Sequence, residues 1–262
     1  ITAGVVLARV NLHMELEIYR KRLETLVSQK TAQLNRTQDS ILDILAGVTA
    51  WRDSGTGGHI ARTTAYSQII VECLQGKNHR NYIISPEYGQ NIIKSSKLHD
   101  IGKVAISDGI LLKPGKLTNN EFDEIKKHTT FGARMIDDAI EDLGDVSSFL
   151  RVAREIVVGH HEWWDGSGYP KSLSGDEIPI SGRVMAIADI YDSLTSERPY
   201  KGALSHDEAM KIILDETGAH FDPLLIYMLR DIFPRFEDIA RSSRNMEASL
   251  YPGRGKQQKP PR

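Results

Sequence analysis

Residues 160–170 have the sequence HHEWWDGSGYP, in which two adjacent histidines open a stretch rich in glycine and aromatic residues. Glycines and prolines recur as far as Gly182, so residues 165–182 are predicted to form one long loop. A loop of this length inside a compact domain is usually either functional or disordered. The histidines that precede it favour a functional loop beside a chemical centre.

Helical patterns surround this loop. Apolar residues recur with helical spacing on both sides of it, and the alternating pattern of strands is nearly absent. Capping boxes mark two helix starts, at residues 118–121 and 205–208. The sequence therefore predicts an all-α domain over residues 46–240, followed by a polar, basic and disordered tail over residues 241–262.

Residues 1–45 are predicted to form a connector helix, because no proline interrupts them. A narrow apolar stripe follows this helix with alternating spacings of four and three residues, which is typical of a coiled coil. Its members are Leu12, Leu16, Tyr19, Leu23 and Leu26, followed by Lys30, Leu34, Ile41 and Val48. Two successive spacings of four near Lys30 resemble a stutter. A dimeric connector is the favoured interpretation, and an amphipathic helix packed on its own domain is the alternative.

The composition is that of an ordinary globular protein. Of the 262 residues, 40% are hydrophobic and 26% are charged. The formal net charge of −2 gives no global basic field, so a nucleic-acid partner is not expected. No run of about 18 apolar residues occurs, so a membrane-spanning helix is not expected either. The single cysteine, Cys73, fits a cytoplasmic location.

Histidines and carboxylates supply the candidate metal ligands. Five of the nine histidines lie beside glycines, acidic residues or each other, and they are His59, His99, His128, His160 and His161. Asp100 follows His99 directly, and Asp189 and Asp192 are three residues apart on a helical pattern, near one face. Taken singly, a histidine is more commonly a surface or core residue, and His13, His79, His206 and His220 are left with that interpretation.

Imidazole and carboxylate groups without thiolate suit iron, manganese, zinc or nickel. The candidate ligands are numerous enough for two metal ions with open positions. A two-metal site can clamp the attacking and leaving oxygens of a phosphoryl displacement. The residue types therefore fit a two-metal centre of the kind that can act on a phosphoryl group.

Five separated segments, in this order, resemble the HD-GYP family of the HD phosphohydrolase superfamily. The similar segments are RDSGTGGH at 52–59, HDIGK at 99–103, ILLKPGKLT at 110–118, HHEWWDGSGYP at 160–170 and DIYDSLTSERPY at 189–200. The resemblance covers about residues 46–235. It implies an all-α, HD-domain helical bundle, here preceded by the long N-terminal helix.

The resemblance implies two divalent transition metal ions, with iron expected and manganese, nickel or zinc as alternatives. One ion would have the ligands His59, His99, Asp100 and Asp189. The other would share Asp100 as a bridge and add His128, His160 and His161. Asp192 would orient a ligand or Lys103.

The resemblance also implies residues that act on a substrate. Lys103 would reach a phosphate oxygen or the leaving group, and with Asp100 and Asp192 it makes up the predicted catalytic set. The predicted substrate-binding residues are Asp53, Tyr169, Arg183, Arg198 and Lys201. Asp53 would contact a guanine edge, and the charges of Arg198 and Lys201 suit phosphates.

The activity implied by the resemblance is metal-dependent hydrolysis of the bacterial second messenger cyclic di-GMP. Some family members carry a glutamate, four residues before the first histidine, that joins a third metal. That position is Gly55 here, which has no ligand atom, so a two-metal site and pGpG as the main product are predicted. The alternatives are a phosphohydrolase of mononucleotides, a sensor with little turnover, and a hybrid cyclic dinucleotide as the substrate.

The beginning of the chain indicates partners. Residues 6–12 resemble the last helix of a response-regulator receiver domain. An upstream receiver domain, a second copy joined through the N-terminal helix and GGDEF-type synthases are therefore the expected protein partners.

Overall fold

A computed structural model describes residues 3–53, 58–77, 79–144, 147–197 and 202–250, with only the backbone described for Asp53 and for 244–250. Within these ranges the regular secondary structure is helical, and a single isolated bridge pairs Thr217 with Phe221. The predicted all-α fold with a long N-terminal helix is confirmed. No helix within the described ranges is both long enough and apolar enough to cross a bilayer.

The α-helices, in chain order, are α1 (Ala3–Asp53), α2 (Gly58–Lys77), α3 (Pro86–Ser95), α4 (Asp108–Leu111), α5 (Asn119–Lys126), α6 (His128–Leu143), α7 (Ser148–Gly159), α8 (Ile180–Thr195), α9 (His206–Asp215), α10 (Pro223–Leu229) and α11 (Phe233–Leu250). Short 3₁₀ helices cover Ser96–Leu98, Ile101–Ala105, Gly175–Glu177 and Arg230–Ile232. Both predicted capping boxes are present: Thr118 and Glu121 cap α5, and Ser205 and Glu208 cap α9.

The chain divides into two units, Ile1–Ile44 and Leu45–Arg262. The first unit contains most of α1. The apolar stripe from Leu12 to Leu26 is uncovered in the single chain, because its five members are between 50% and 68% exposed. Burial of such a stripe would require another surface.

The core of the second unit lies around α2 and α8, which pack against each other. The buried residues of α2 recur every four positions, at Tyr66, Ile70 and Leu74, so one face of the helix is apolar. Tyr191 of α8 packs edge-on against Tyr66, with ring centroids 5.1 Å apart. Each fully buried large apolar side chain contributes roughly 1.5–3 kcal/mol. This core fixes α8, which also carries two of the candidate site carboxylates.

Helix α11 extends to Leu250, ten residues beyond the predicted end of the domain at residue 240. Its first turns bury Phe233, Phe236 and Ala240. Once such packing nucleates a helix, each further residue adds a hydrogen bond at little entropic cost. The backbone of residues 241–250 is therefore helical where the sequence predicted disorder, and residues 251–262 lie outside the described residues.

Candidate metal centre

Four side chains converge around one point, with ligand atoms within 4.8 Å of one another. We call Asp100, His128, His160 and His161 the inner cluster. The Nε2 atoms of His128 and His160 lie 3.4 and 3.9 Å from Asp100 Oδ1. Both of these histidines are 1% exposed. The arrangement brings together the four residues that the resemblance assigned to one metal ion.

His59, His99 and Asp189 form a second group, which we call the outer cluster. His59 Nε2 lies 3.3 Å from His99 Nε2 and 3.6 Å from Asp189 Oδ1. The side chains of His59 and Asp189 are 17% and 16% exposed, so this group is more accessible than the inner cluster. These three residues are the remaining ligands that the sequence predicted.

Asp100 contacts both clusters. Its Oδ1 faces the inner cluster, whereas its Oδ2 lies 3.2 Å from His99 Nε2 and 2.7 Å from Lys103 Nζ. Burial opposes ionisation of this carboxyl group, but Lys103 and His99 hold its pKa well below its usual range. An ionised carboxylate between two imidazole groups has the placement expected of a bridging ligand.

Backbone carbonyls orient three of the ligand histidines. His99, His128 and His160 each donate Nδ1–H to a carbonyl three or four residues earlier, over 2.7–2.9 Å. In neutral His128 and His160, the opposite ring nitrogen, Nε2, is therefore the unprotonated one that faces the centre. Among the described atoms, Nε2 of His128 and of His160 is buried without a hydrogen-bond partner. Such an atom costs about 1–3 kcal/mol unless it is satisfied, which fits a metal ligand.

A buried ion pair holds His59. Asp192, 1% exposed, accepts a hydrogen bond from His59 Nδ1 at 2.8 Å and a forked pair from Arg62 Nε and Nη2 at 2.5 and 3.1 Å. Burial raises the pKa of Asp192, but His59 and Arg62 together lower it below its ordinary value. The sequence predicted that Asp192 orients either a ligand or Lys103. In the structure Asp192 contacts the candidate ligand His59. Sequence reasoning missed Arg62, whose only signal was its position one helical turn after His59.

Burial and neighbouring charges shift the pKa values of the cluster histidines in opposite directions. Burial, with His99 and His128 nearby, lowers the pKa of His160 to about 3, and burial also lowers the pKa values of His128 and His161. Burial opposes protonation of His99 too, but Asp100 and Asp189 raise its pKa to about 9. The imidazoles of the inner cluster are therefore neutral near pH 7, the form that binds metal.

The turn that carries Asp100 and Lys103 lies directly on α6. A Cβ at Gly102 would be 1.9 Å from the His128 carbonyl oxygen and 2.5 Å from Gly132 N. Only glycine allows this approach, which brings the 3₁₀ helix Ile101–Ala105 against the start of α6. The close packing sets the distance between Asp100 and His128.

Arg52, in the last turn of α1, forms hydrogen bonds with the residues at the end of the 3₁₀ helix Ile101–Ala105 and just after it. Its Nη1 donates to Val104 O at 2.6 Å, and its Nη2 donates to Ile106 O at 3.1 Å and to Asp108 Oδ1 at 2.6 Å. These acceptors follow Lys103 directly in the chain. Arg52 was part of a quoted segment in the sequence, but its role there was not predicted.

The glycine-rich loop folds back over the inner cluster. Glu162, 2% exposed, accepts backbone N–H groups of Lys171 and Leu173 at 2.7 and 3.0 Å. Tyr169 N donates to His161 O, and the Tyr169 ring stacks on the His161 ring with centroids 4.8 Å apart. The loop thereby places Tyr169 against His161, whereas the predicted contact of Tyr169 with a substrate stays a prediction. Glu162 is a further residue whose role the sequence did not reveal.

His220 supports the same loop from the segment between α9 and α10. Its ring stacks on that of Trp163 with centroids 4.4 Å apart, and its carbonyl accepts from Trp164 N at 3.1 Å. Burial lowers the pKa of His220 to about 4. The sequence gave this histidine no role.

The predicted substrate-binding residues are only partly brought to the site. The Arg183 guanidinium donates to Ile178 O, to Asp176 and to the buried carboxylate of Asp222, so the structure uses it as an anchor of the loop region. Arg198, Lys201 and Gly55 lie outside the described residues, and the side chain of Asp53 is not described either.

The chain matches known proteins over most of its length. The model of the HD domain family matches residues 62–225. A probable cyclic di-GMP phosphodiesterase of Vibrio cholerae is 42% identical over 230 residues, which are 88% of this chain and 52% of that protein. A 3'3'-cGAMP-specific phosphodiesterase 2 of the same organism is 36% identical over 209 residues, which are 80% of this chain and 37% of that protein.

A solved structure supports the fold. The crystal structure of a cyclic GMP-AMP-specific phosphodiesterase of V. cholerae has a TM-score of 0.51 and 18% identity, and it covers 79% of this chain and 53% of that one. This chain thus spans about half or less of the length of the three proteins.

Proposed function

This chain belongs to the HD domain family, with the motifs of its HD-GYP branch, and we propose that it hydrolyses a phosphodiester bond of cyclic di-GMP, mainly to pGpG. The observation that carries the proposal is the position of Asp100, whose two oxygens face two separate groups of ligand atoms. The similarity to a protein described as a probable cyclic di-GMP phosphodiesterase supports the choice of substrate.

The residues present fit two divalent transition metal ions. The buried Nε2 atoms of His128 and His160, without partners among the described atoms, fit ligand positions. The set of imidazole and carboxylate donors suits iron, which we propose, and also manganese, nickel or zinc. When bound, such ions supply positive charge to a phosphoryl group and lower the pKa of water towards neutrality.

The protein residues would orient the substrate and move a proton. Lys103 holds its ammonium group 2.7 Å from Asp100 Oδ2 and is 17% exposed, so it can donate a proton or a hydrogen bond to the leaving oxygen. Tyr169 covers His161 and limits the access of water to the inner cluster. We propose that Asp53, Arg198 and Lys201 contact the guanine and phosphate groups. Arg183 is left out, because Asp176 and Asp222 engage its guanidinium.

A hybrid cyclic dinucleotide is the second candidate substrate, because a 3'3'-cGAMP-specific enzyme is 36% identical to this chain. The identity to the probable cyclic di-GMP enzyme is higher, at 42%, which favours cyclic di-GMP as the first substrate to test. Gly55, at the position of the third-metal glutamate in some family members, supports pGpG rather than GMP as the main product.

The test is hydrolysis by the purified protein loaded with iron or manganese. Cyclic di-GMP and 3'3'-cGAMP are supplied separately, products are followed by chromatography, and Asp100→Ala is the control. Metal-dependent release of pGpG, lost in the control, supports the proposal. Preferential cleavage of 3'3'-cGAMP would replace the proposed substrate. Cyclic di-GMP that binds but stays intact would indicate a sensor.

We also propose a homodimer through the apolar stripe of α1, with a receiver domain upstream and GGDEF-type synthases as partners in the cytoplasm. The exposed stripe supports the dimer, because Leu16 and Leu23 are 57% and 62% exposed. Light scattering of the wild type and of Leu23→Asp tests it. A dimer that becomes a monomer in the variant supports the proposal, whereas a monomeric wild type contradicts it.

A further inference from the structure

Lys126, the last residue of α5, lies beside the candidate metal centre. Its Nζ is 4.8 Å from the centroid of the Phe122 ring and 5.7 Å from that of the Tyr169 ring, both within the range of cation–π attraction. Tyr169 in turn stacks on His161 of the inner cluster, with centroids 4.8 Å apart. The Lys126 ammonium group therefore lies beside the Tyr169 ring, which separates it from His161 of the inner cluster.

This ammonium group is accessible to a ligand. The Lys126 side chain is 34% exposed, and its ion-pair partner Asp123, 2.9 Å away, is 64% exposed. Exposed pairs of this kind contribute roughly 0–1 kcal/mol, because water competes for both charges. An anionic ligand can therefore displace Asp123 from the ammonium group.

We propose that Lys126 binds the phosphodiester of the cyclic dinucleotide that is not being cleaved, and thereby contributes to substrate selection. This inference rests on the proposed function. A cyclic dinucleotide carries two phosphodiesters, and the metal centre with Lys103 neutralises the one under attack. The second anion also needs positive charge, which Lys126 would supply in addition to the basic residues proposed above for phosphate contacts, and a charge-assisted hydrogen bond from an ammonium is suitable. Lys126 offers such an ammonium group next to Tyr169 of the glycine-rich loop.

Three variants separate charge from packing. Lys126→Met keeps an unbranched apolar side chain but removes the charge, and Lys126→Arg keeps the charge. The matched control is Lys127→Met. Lys127 is the next residue in the chain, it pairs with Glu124 three residues earlier as Lys126 pairs with Asp123, and its side chain is 49% exposed.

Two substrates then distinguish an effect on substrate binding from an effect on the reaction at the metal centre. Cyclic di-GMP has two phosphodiesters, whereas bis(p-nitrophenyl) phosphate has one and reports on the metal centre alone. For cyclic di-GMP we expect Lys126→Met to raise KM roughly tenfold, the effect of one lost charge-assisted hydrogen bond, with kcat changed less than about twofold. Lys126→Arg and Lys127→Met should keep KM close to that of the wild type, and all variants should cleave the aryl ester alike.

Three outcomes would overturn the inference. An unchanged KM in Lys126→Met would show that the charge does not contact the ligand. An equal loss on both substrates would show that Lys126 acts through the metal centre. If the wild type cleaves the aryl ester but no cyclic dinucleotide, the proposed function itself fails and this inference fails with it.

Discussion

The inner and outer clusters use the same residue types but support them differently. In the inner cluster, backbone carbonyls orient His128 and His160, and both rings are almost fully buried. In the outer cluster, a backbone carbonyl also orients His99, but a carboxylate orients His59: Asp192, itself held by Arg62. Carbonyl support depends only on the local helix, whereas carboxylate support depends on a contact between α2 and α8.

The two clusters also differ in protonation. The pKa of His160 is lowered by burial to about 3, whereas Asp100 and Asp189 overcome burial and raise that of His99 to about 9. Metal binding requires the neutral imidazole. The inner cluster is therefore ready to bind near neutral pH, and binding at the outer cluster must first release a proton. Near neutral pH, metal binding at the outer cluster is therefore coupled to loss of the His99 proton, whereas binding at the inner cluster is not.

The largest effect is expected from Asp100→Ala, which removes the carboxylate that belongs to the inner cluster and also contacts the outer cluster. Both sites should lose metal, and activity should fall on the order of a thousandfold or more, because the bridging carboxylate is gone. Elemental analysis and phosphodiesterase assays measure the two quantities. Asp138→Ala, at an exposed position of α6, is the control. Retention of one tightly bound metal per chain would contradict a shared role of Asp100.

Asp192→Asn should weaken metal binding at the outer cluster and leave metal binding at the inner cluster unchanged. The neutral amide no longer stabilises the His59 ring or offsets the charge of buried Arg62, so the affinity of the outer site should fall roughly 10–100-fold. Titration with manganese should show one weakened site and one unchanged site. Asp215→Asn, an exposed acid in α9, controls for net charge. Equal weakening of both sites would show that the clusters do not bind independently.

Arg52→Ala tests the turn that joins the clusters. Arg52→Ala removes three hydrogen bonds to the segment after Lys103. Their combined net stabilisation is about that of one or two charged hydrogen bonds, so kcat should fall about tenfold. Arg52→Lys should recover part of the activity, and Arg36→Ala, on the exposed surface of α1, should have none of the effect. An unchanged kcat in Arg52→Ala would show that α6 alone positions Asp100.

The smallest expected effect is a pH dependence from His220, a partly buried imidazole outside both clusters. Its pKa is lowered to about 4, so the unfolded chain takes up a proton near pH 6.5 while the folded protein does not. Stability from this group is present above pH 6.5 and is lost as the pH falls towards 4. In metal-free protein, the free energy of unfolding of His220→Phe should therefore fall less steeply than that of the wild type over this range. Identical slopes would assign the pH dependence to the cluster histidines.

The sequence by itself determined the helical fold and predicted the residues of the candidate metal centre. Helical periodicity and capping boxes are local, so they are visible without a structure. The candidate ligands were found because imidazole and carboxylate side chains occur in an ordered set of motifs. The seven predicted ligands indeed lie in two adjoining groups.

Only the tertiary structure decided which atoms meet. Arg62 and Asp192 are 130 residues apart, and Arg52 is 52 residues from the Val104 carbonyl, so neither contact leaves a local pattern. Arg183 shows a further case: it was among the predicted substrate-binding residues, and its guanidinium pairs with Asp222, 39 residues later. A side chain's type determines what chemistry it can perform, whereas long-range packing determines which partner reaches it first.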